Sequence, residues 1–183
     1  MKFHIQAPRV IAVALLIVIL LLLASVPAAA GERVGTYDSR LVAFAAFWSD
    51  GYQTRLKALK EEARAAQKRG DTARYQAIVT EITSGQSVLH LQVFSTAPID
   101  AVLAGLHDRL PAIQQELGVD RLVSQWDKSA LTGVPAVNRV DVTERLLGEF
   151  HLPPARRAEV EKLRQARPLP LWRARLMKSL HLL

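Results

Sequence analysis

Gly70-Asp71 separates two long apolar stripes of helical period, and that junction constrains the fold more than any other feature of the chain. On its N-terminal side Leu41, Phe44, Trp48, Tyr52, Leu56, Leu59, Ala63 and Ala66 recur every three or four residues, the spacing that gathers side chains along one helix face. On its C-terminal side Tyr75, Ile78, Ile82, Gly85, Leu89 and Gln92 keep the three-four spacing of a coiled-coil seam. A glycine followed by an N-capping residue stops one helix and starts the next, and two helices joined by so short a turn lie antiparallel. A helical hairpin is therefore expected. Its first arm, read as one helix from Leu41 to Arg69 with Gly51 as a weak point, would reach on the order of 45 Å at about 1.5 Å per residue, so that part of it projects.

The flanks supply short strands. Arg33-Val34-Gly35-Thr36-Tyr37 alternates apolar and polar residues, and Asp38-Ser39 then offers a short oxygen-bearing side chain to the open amides of a helix start. Ser95-Thr96-Ala97-Pro98 interrupts the second arm, and Pro111 predicts a kink or restart in the returning stripe Ile99, Leu103, Leu106, Leu110, Ile113, Leu117 before Gly118 stops it. Arg121 to Trp126 and Ala136 to Val140 read as two strands around a loop holding Gly133 and Pro135. Asp141 with Glu144 makes a capping-box pattern for one more short helix. Pro153-Pro154 introduces a charged helical stretch, Ala155 to Ala166, and Pro168 and Pro170 set off a basic apolar tail, Leu171 to Leu183. The order predicts an α+β chain, mainly α, in three parts: a leader over 1–30, a strand-and-hairpin domain over 31–152, and a basic helical C-terminal tail over 153–183.

The leader has the three parts that export requires: Lys2 and Arg9, a charge-free apolar run from Val10, and the small residues Ala28-Ala29-Ala30 before Gly31. Cleavage after Ala30 and an exported, periplasmic or envelope location are expected. The alternative is an uncleaved inner-membrane anchor, because Val10 to Ala30 reaches the length of about 20 residues that a span needs. The chain has no cysteine, which excludes a lipoprotein, disulfides and thiolate chemistry. Residues 31–183 hold 22 basic and 17 acidic residues, a balance suited to anionic lipid, envelope sugar polymers or acidic polypeptides. Nucleic acid is not an expected partner outside the cytoplasm.

The leader, the strand Val34-Gly35-Thr36-Tyr37-Asp38 directly before the hairpin, the return Glu116-Leu117-Gly118-Val119-Asp120-Arg121-Leu122-Val123 and the closing Val140-Asp141-Val142-Thr143-Glu144 occur in an order that resembles the Skp/OmpH family of small periplasmic chaperones. The resemblance covers about 34 to 150 and implies a homotrimer with a strand-built head and helical arms, holding unfolded outer-membrane proteins without nucleotide. The chain departs from the family in its shorter arms, in Pro98 and Pro111 on the returning arm, and in the tail after Pro153.

Catalysis finds little to work with. His90, His107, His151 and His181 have no metal-ligand spacing, and Ser84-Gly85-Gln86-Ser87 lacks the second glycine of a nucleophile elbow. His107-Asp108 reads as a surface pair, and Asp38 and Asp141 read as helix caps. Neither an enzyme nor a cofactor is expected. Phe44 and Trp48 are expected in the core, while Phe47 and Tyr52 are candidates for an apolar client-binding face. Lys57, Lys60, Arg64, Lys68 and Arg69 give the first arm a basic face that attracts acidic unfolded chains or anionic lipid, or is simply solvated. In the tail, Leu171, Trp172, Leu176, Leu180 and Leu183 can share a helical face with Arg173, Arg175 and Lys178 around it. That combination suits an anionic membrane surface, or a terminal helix packed on the body or on a second subunit. Two readings of function follow: a client-holding chaperone, and an oligomeric coiled-coil scaffold without clients.

Overall fold

The computed structural model describes residues 31–180. The expectations for the leader over 1–30, and for Leu183 in the tail face, lie outside those residues. Among the described residues no helix is long and apolar enough to cross a membrane.

The chain is α+β and mainly α. β1 (Val34–Tyr37) runs into α1 (Ser39–Trp48), followed by α2 (Asp50–Lys68) and α3 (Thr72–Phe94). The return consists of α4 (Asp100–Ala104) and α5 (Leu110–Leu117), then β2 (Arg121–Ser124), β3 (Arg139–Asp141) and α6 (Thr143–Gly148). Two further helices, α7 (Pro154–Gln165) and α8 (Leu171–Ser179), complete it. All of these belong to one compact unit beginning at Glu32.

The expected first arm is two helices. Ser49 adopts an extended backbone (φ −64°, ψ 148°), and its hydroxyl accepts from Tyr52 N–H, so it caps α2 and breaks the helix two residues before Gly51. Gln53 Nε2 donates to Phe47 O at 2.7 Å and satisfies a carbonyl that the break leaves open. The arm that leaves the body is thus α2 alone, 19 residues or about 28 Å.

α2 and α3 pack antiparallel, with Arg55 paired to Glu81 and Arg74 to Glu62 across them. Gly70 turns the corner at φ 72°, and Asp71 N–H reaches back to Ala66 O at 3.0 Å, the closure that a left-handed residue after a helix permits. Ala63, Ala66 and Ile78 are buried along the contact, whereas Leu56, Leu59, Ile82 and Leu89 are half-buried.

The sheet has the order β2-β1-β3, with both pairings parallel. Gly35 pairs with Leu122 and Val140, and this face turns toward the helical core of Tyr37, Val42, Ile99, Ile113 and Leu146. The other face carries Val34 and Val123 beneath Leu131. The loop bearing Leu131 is tied down from both edges, by Arg121 Nη2 to Ala130 O and Arg139 Nη2 to Leu131 O, each at 3.1 Å. The third strand is shorter and later than expected, because Ala136–Asn138 forms a 3-10 turn and only Arg139–Asp141 reaches β1. Pro111 restarts α5 in its first turn, where a missing amide costs nothing, and Gly118 ends it.

The C-terminal helices pack on this body. Val160 of α7 joins Leu41, Ala45, Leu147 and Leu152 in a second cluster. Leu169 N–H donates to Phe94 O at 2.9 Å, and α8 lies against α3 with Ala174 fully buried.

Candidate functional site: an apolar groove at the root of the helix pair

The break at Ser49 creates an apolar recess. Because α1 ends there and α2 leaves at a new angle, the last turn of α1, the first turns of α2, the end of α3 and α4 bound a groove of about 600 Å³. Small residues make the space. Ala46, Gly51, Gly85 and Ala101 line it, nothing stands within 4 Å of a Cβ built on Gly51, and one built on Gly85 would meet only the Tyr52 hydroxyl at 3.7 Å. Larger side chains form the walls: Phe47, Tyr52, Val88, Leu89 and Val102.

Phe47 and Tyr52 meet there, their rings 5.1 Å apart, while Trp48 packs edge-on to Phe47 at 4.9 Å. Phe44 and Trp48 are half-buried against the core clusters, and Arg156 covers the Trp48 ring at 3.4 Å. Val88 is exposed on the groove wall. Arg55 is the cation of the groove, and its guanidinium is held by Glu81 at 3.0 Å. The contents are thus apolar surface and one neutralised charge, which suits the side chains of another polypeptide rather than a reacting substrate.

The basic residues of the arm lie elsewhere. Lys57, Lys60, Arg64 and Lys68 recur every three or four residues along the solvent side of α2, all exposed, and Arg69 is exposed at its C-cap. Lys57 has Glu61 at 4.0 Å. None of the five lines the groove. On α8, Trp172, Arg173, Arg175 and Lys178 are all exposed, whereas Leu171 is half-buried beside the inward Ala174 and does not share the Trp172 face.

A second recess, of about 540 Å³, opens at the carboxyl ends of the strands, where ligands of parallel sheets commonly sit. Two of its charged groups, Asp38 and Arg40, are already engaged with each other and with their surroundings. Asp38 Oδ1 accepts from Arg40 N–H at 3.0 Å, Arg40 Nε at 3.1 Å and Trp126 Nε1 at 3.1 Å, and Oδ2 accepts from Arg40 Nη2 at 2.8 Å. Arg40 Nη1 donates to Ala166 O at 2.7 Å. This recess is a lock between the strand ends and the α7–α8 connection. Asp38 caps α1 as expected, but Asp141 bonds only Thr143 N–H at 2.9 Å, and Glu144 reaches Arg164 rather than closing a capping box. His107 and Asp108 form an exposed pair at 2.9 Å.

Phe47 and Tyr52 were legible as aromatic side chains of the first arm, but Val88, Ala101 and Val102 were not, because they reach the groove only through the fold. The usable signal was the pairing of small residues, Gly51 and Gly85, on two helices that must face each other. No protein family, curated protein or solved structure matches this chain.

Proposed function

We propose that this protein is a non-catalytic holdase, a binder that keeps short apolar stretches of an unfolded polypeptide in the groove at the root of its helix pair. The observation that carries the reading is the groove itself: about 600 Å³, walled by Phe47, Tyr52 and the exposed Val88, and holding no unpaired charge. Apolar burial is non-directional, so such a surface accepts many sequences. The exposed basic stripe on α2 adds long-range attraction for acidic chains without touching the bound segment. The finer reading, a Skp-like hairpin and coiled coil in a homotrimer, rests on the order of motifs from Val34 to Glu144, and the exported location rests on the leader from Lys2 to Ala30.

The groove is tested at its rim. Val88→Glu and Ala101→Glu change exposed positions, so the fold should persist while a carboxylate enters the recess. Wild-type protein should suppress aggregation of a urea-unfolded outer-membrane β-barrel protein on dilution, and the double variant should lose that suppression. Equal suppression by both would remove the groove from the mechanism, and none by the wild type would remove the holdase reading.

The second reading, an oligomeric scaffold without clients, draws on a different observation. Among the described residues β2 and β3 are edge strands, and Val137, almost fully exposed, stands just before β3. Unpaired strand edges are templates for another chain. Light scattering decides it: a mass of several copies with no client binding supports the scaffold, and a monomer at micromolar concentration ends both this reading and the trimer.

A further inference from the structure

The geometry points to α8 as an interfacial helix that lays the protein on an anionic lipid surface. This inference is independent of the groove and of its clients.

Two opposite faces of α8 carry the argument. Ala174 is fully buried against α3, with the half-buried Leu171 and Met177 beside it, so one side of the helix is committed to the body. At about 100° per residue, Trp172, Leu176 and the capping Leu180 fall on the side away from Ala174. They are 68%, 52% and 58% exposed, an outward apolar stripe on a helix whose other face is already satisfied. The segment cannot swing inward to bury them, because Leu169 N–H is bonded to Phe94 O and Ser95 pairs with Leu169 just before α8 begins.

The charges around the stripe identify what covers it. Arg175 falls beside Trp172 on one flank and Arg173 beside Leu180 on the other, with Lys178 further round, all exposed. No acidic residue follows Glu161, whereas Lys162, Arg164, Arg167, Arg173, Arg175 and Lys178 are all basic. An apolar strip with a tryptophan, bordered by arginines whose aliphatic stems lie along it and whose heads reach outward, matches the boundary between acyl chains and anionic headgroups. A second copy of this chain would bring like charges together across the same strip, which disfavours self-association through this face. With only three apolar residues, the helix is an orienting contact that works alongside another attachment, consistent with the two signals that stable membrane anchoring requires.

The chain has no cysteine, so Ser179→Cys, at the exposed edge of the stripe, gives a single site for an environment-sensitive fluorophore on the full-length protein. The label should report an apolar environment with vesicles of phosphatidylglycerol and not with phosphatidylcholine, and the response should fade as salt is raised. Each of Arg173→Glu and Arg175→Glu should weaken it by about fivefold or more, since one basic group near an anionic surface contributes about that factor. Because residues 1–30 are themselves apolar, attachment of the protein to vesicles is not the readout; the label is. A label equally affected by neutral and anionic vesicles, or indifferent to charge reversal, would overturn the proposal. So would a label that turns apolar on raising protein concentration without lipid, which would assign the stripe to a second copy.

Discussion

Arg40 Nη2 donates to Asp38 Oδ2 at 2.8 Å while the two residues are 1% and 4% exposed, so an ion pair two residues apart in sequence sits wholly inside the protein. The same carboxylate caps α1 and receives Trp126 from beyond β2, and the same guanidinium holds Ala166 O beyond α7. One pair thus joins the end of β1 to two segments that are distant in sequence.

Removing one partner should cost far more than the attraction itself, because the other charge stays buried. Arg40→Ala is expected to lower unfolding stability by about 3–5 kcal/mol, read from urea midpoints. Adding Asp38→Ser, which keeps a capping oxygen but no charge, should recover part of that loss. A double variant less stable than the single would show that the stranded carboxylate is not the source of the cost.

Gly35 is where the sheet touches the helices most closely. A Cβ there would stand 2.7 Å from Leu122 Cδ2, 3.1 Å from Val142 Cγ1 and 3.2 Å from Val119 Cγ2. The leucine methyl can move, but the two valines restrict where it goes. Gly35→Ala should destabilise by about 1–3 kcal/mol, and a thermal melt matching the wild type would mean that this face is looser than its distances imply.

Acid should act through Glu149. Hydrogen bonds from Arg109 and then from Arg145 hold its carboxyl below the usual carboxylate range. A carboxyl whose folded pKa is depressed contributes stability above its unfolded value of about 4.3, and that contribution is lost as pH falls through the folded value. Glu149→Gln should therefore reduce neutral stability and flatten the acid limb of the stability profile; parallel acid limbs would refute the assignment.

Alkali should act through Tyr37, whose hydroxyl is pushed from 10.0 up to about 12, first by burial and then by Asp100 and Asp127. The native state keeps this proton longer than the unfolded chain does, so stability should decline from about pH 10 to 12. Phenolate absorbance should show one tyrosine titrating late, and Tyr37→Phe should remove that phase.

The basic stripe on α2 should steer clients without supporting the fold. Changing Lys57, Lys60 and Arg64 to Glu should alter stability by no more than about 0.5 kcal/mol per site. It should also slow capture of an unfolded outer-membrane protein and reduce the salt dependence of that capture. Capture kinetics unchanged at low salt would leave the stripe merely solvated.

Local chemistry decided the elements. The Asp38 cap, the turn at Gly70-Asp71, the stops at Ser95 and Gly118 and the restart at Pro111 each depend on a residue's own backbone preference or on a hydrogen bond within a few positions, so all were legible in the chain. The break at Ser49 was not legible: the stripe reads as one helix from Leu41 to Arg69 with Gly51 only a weak point, because a serine inside an apolar stripe signals a cap only once its neighbours are seen to bend away. Tertiary structure decided the rest. Three parallel strands must be brought together across long connections, and no local pattern specifies that β1 lies between β2 and β3. Asp38 reads as a cap in sequence, and only the approach of Trp126 and Ala166 makes it, with Arg40, a buried lock. The groove is a gap between helices rather than a string of residues, so Phe47 and Tyr52 were visible and Val88 and Ala101 were not. The tail's periodicity predicted one apolar face holding Leu171, Trp172, Leu176 and Leu180, but the packing of α8 on α3 buried Ala174, drew Leu171 inward and left Trp172, Leu176 and Leu180 facing outward.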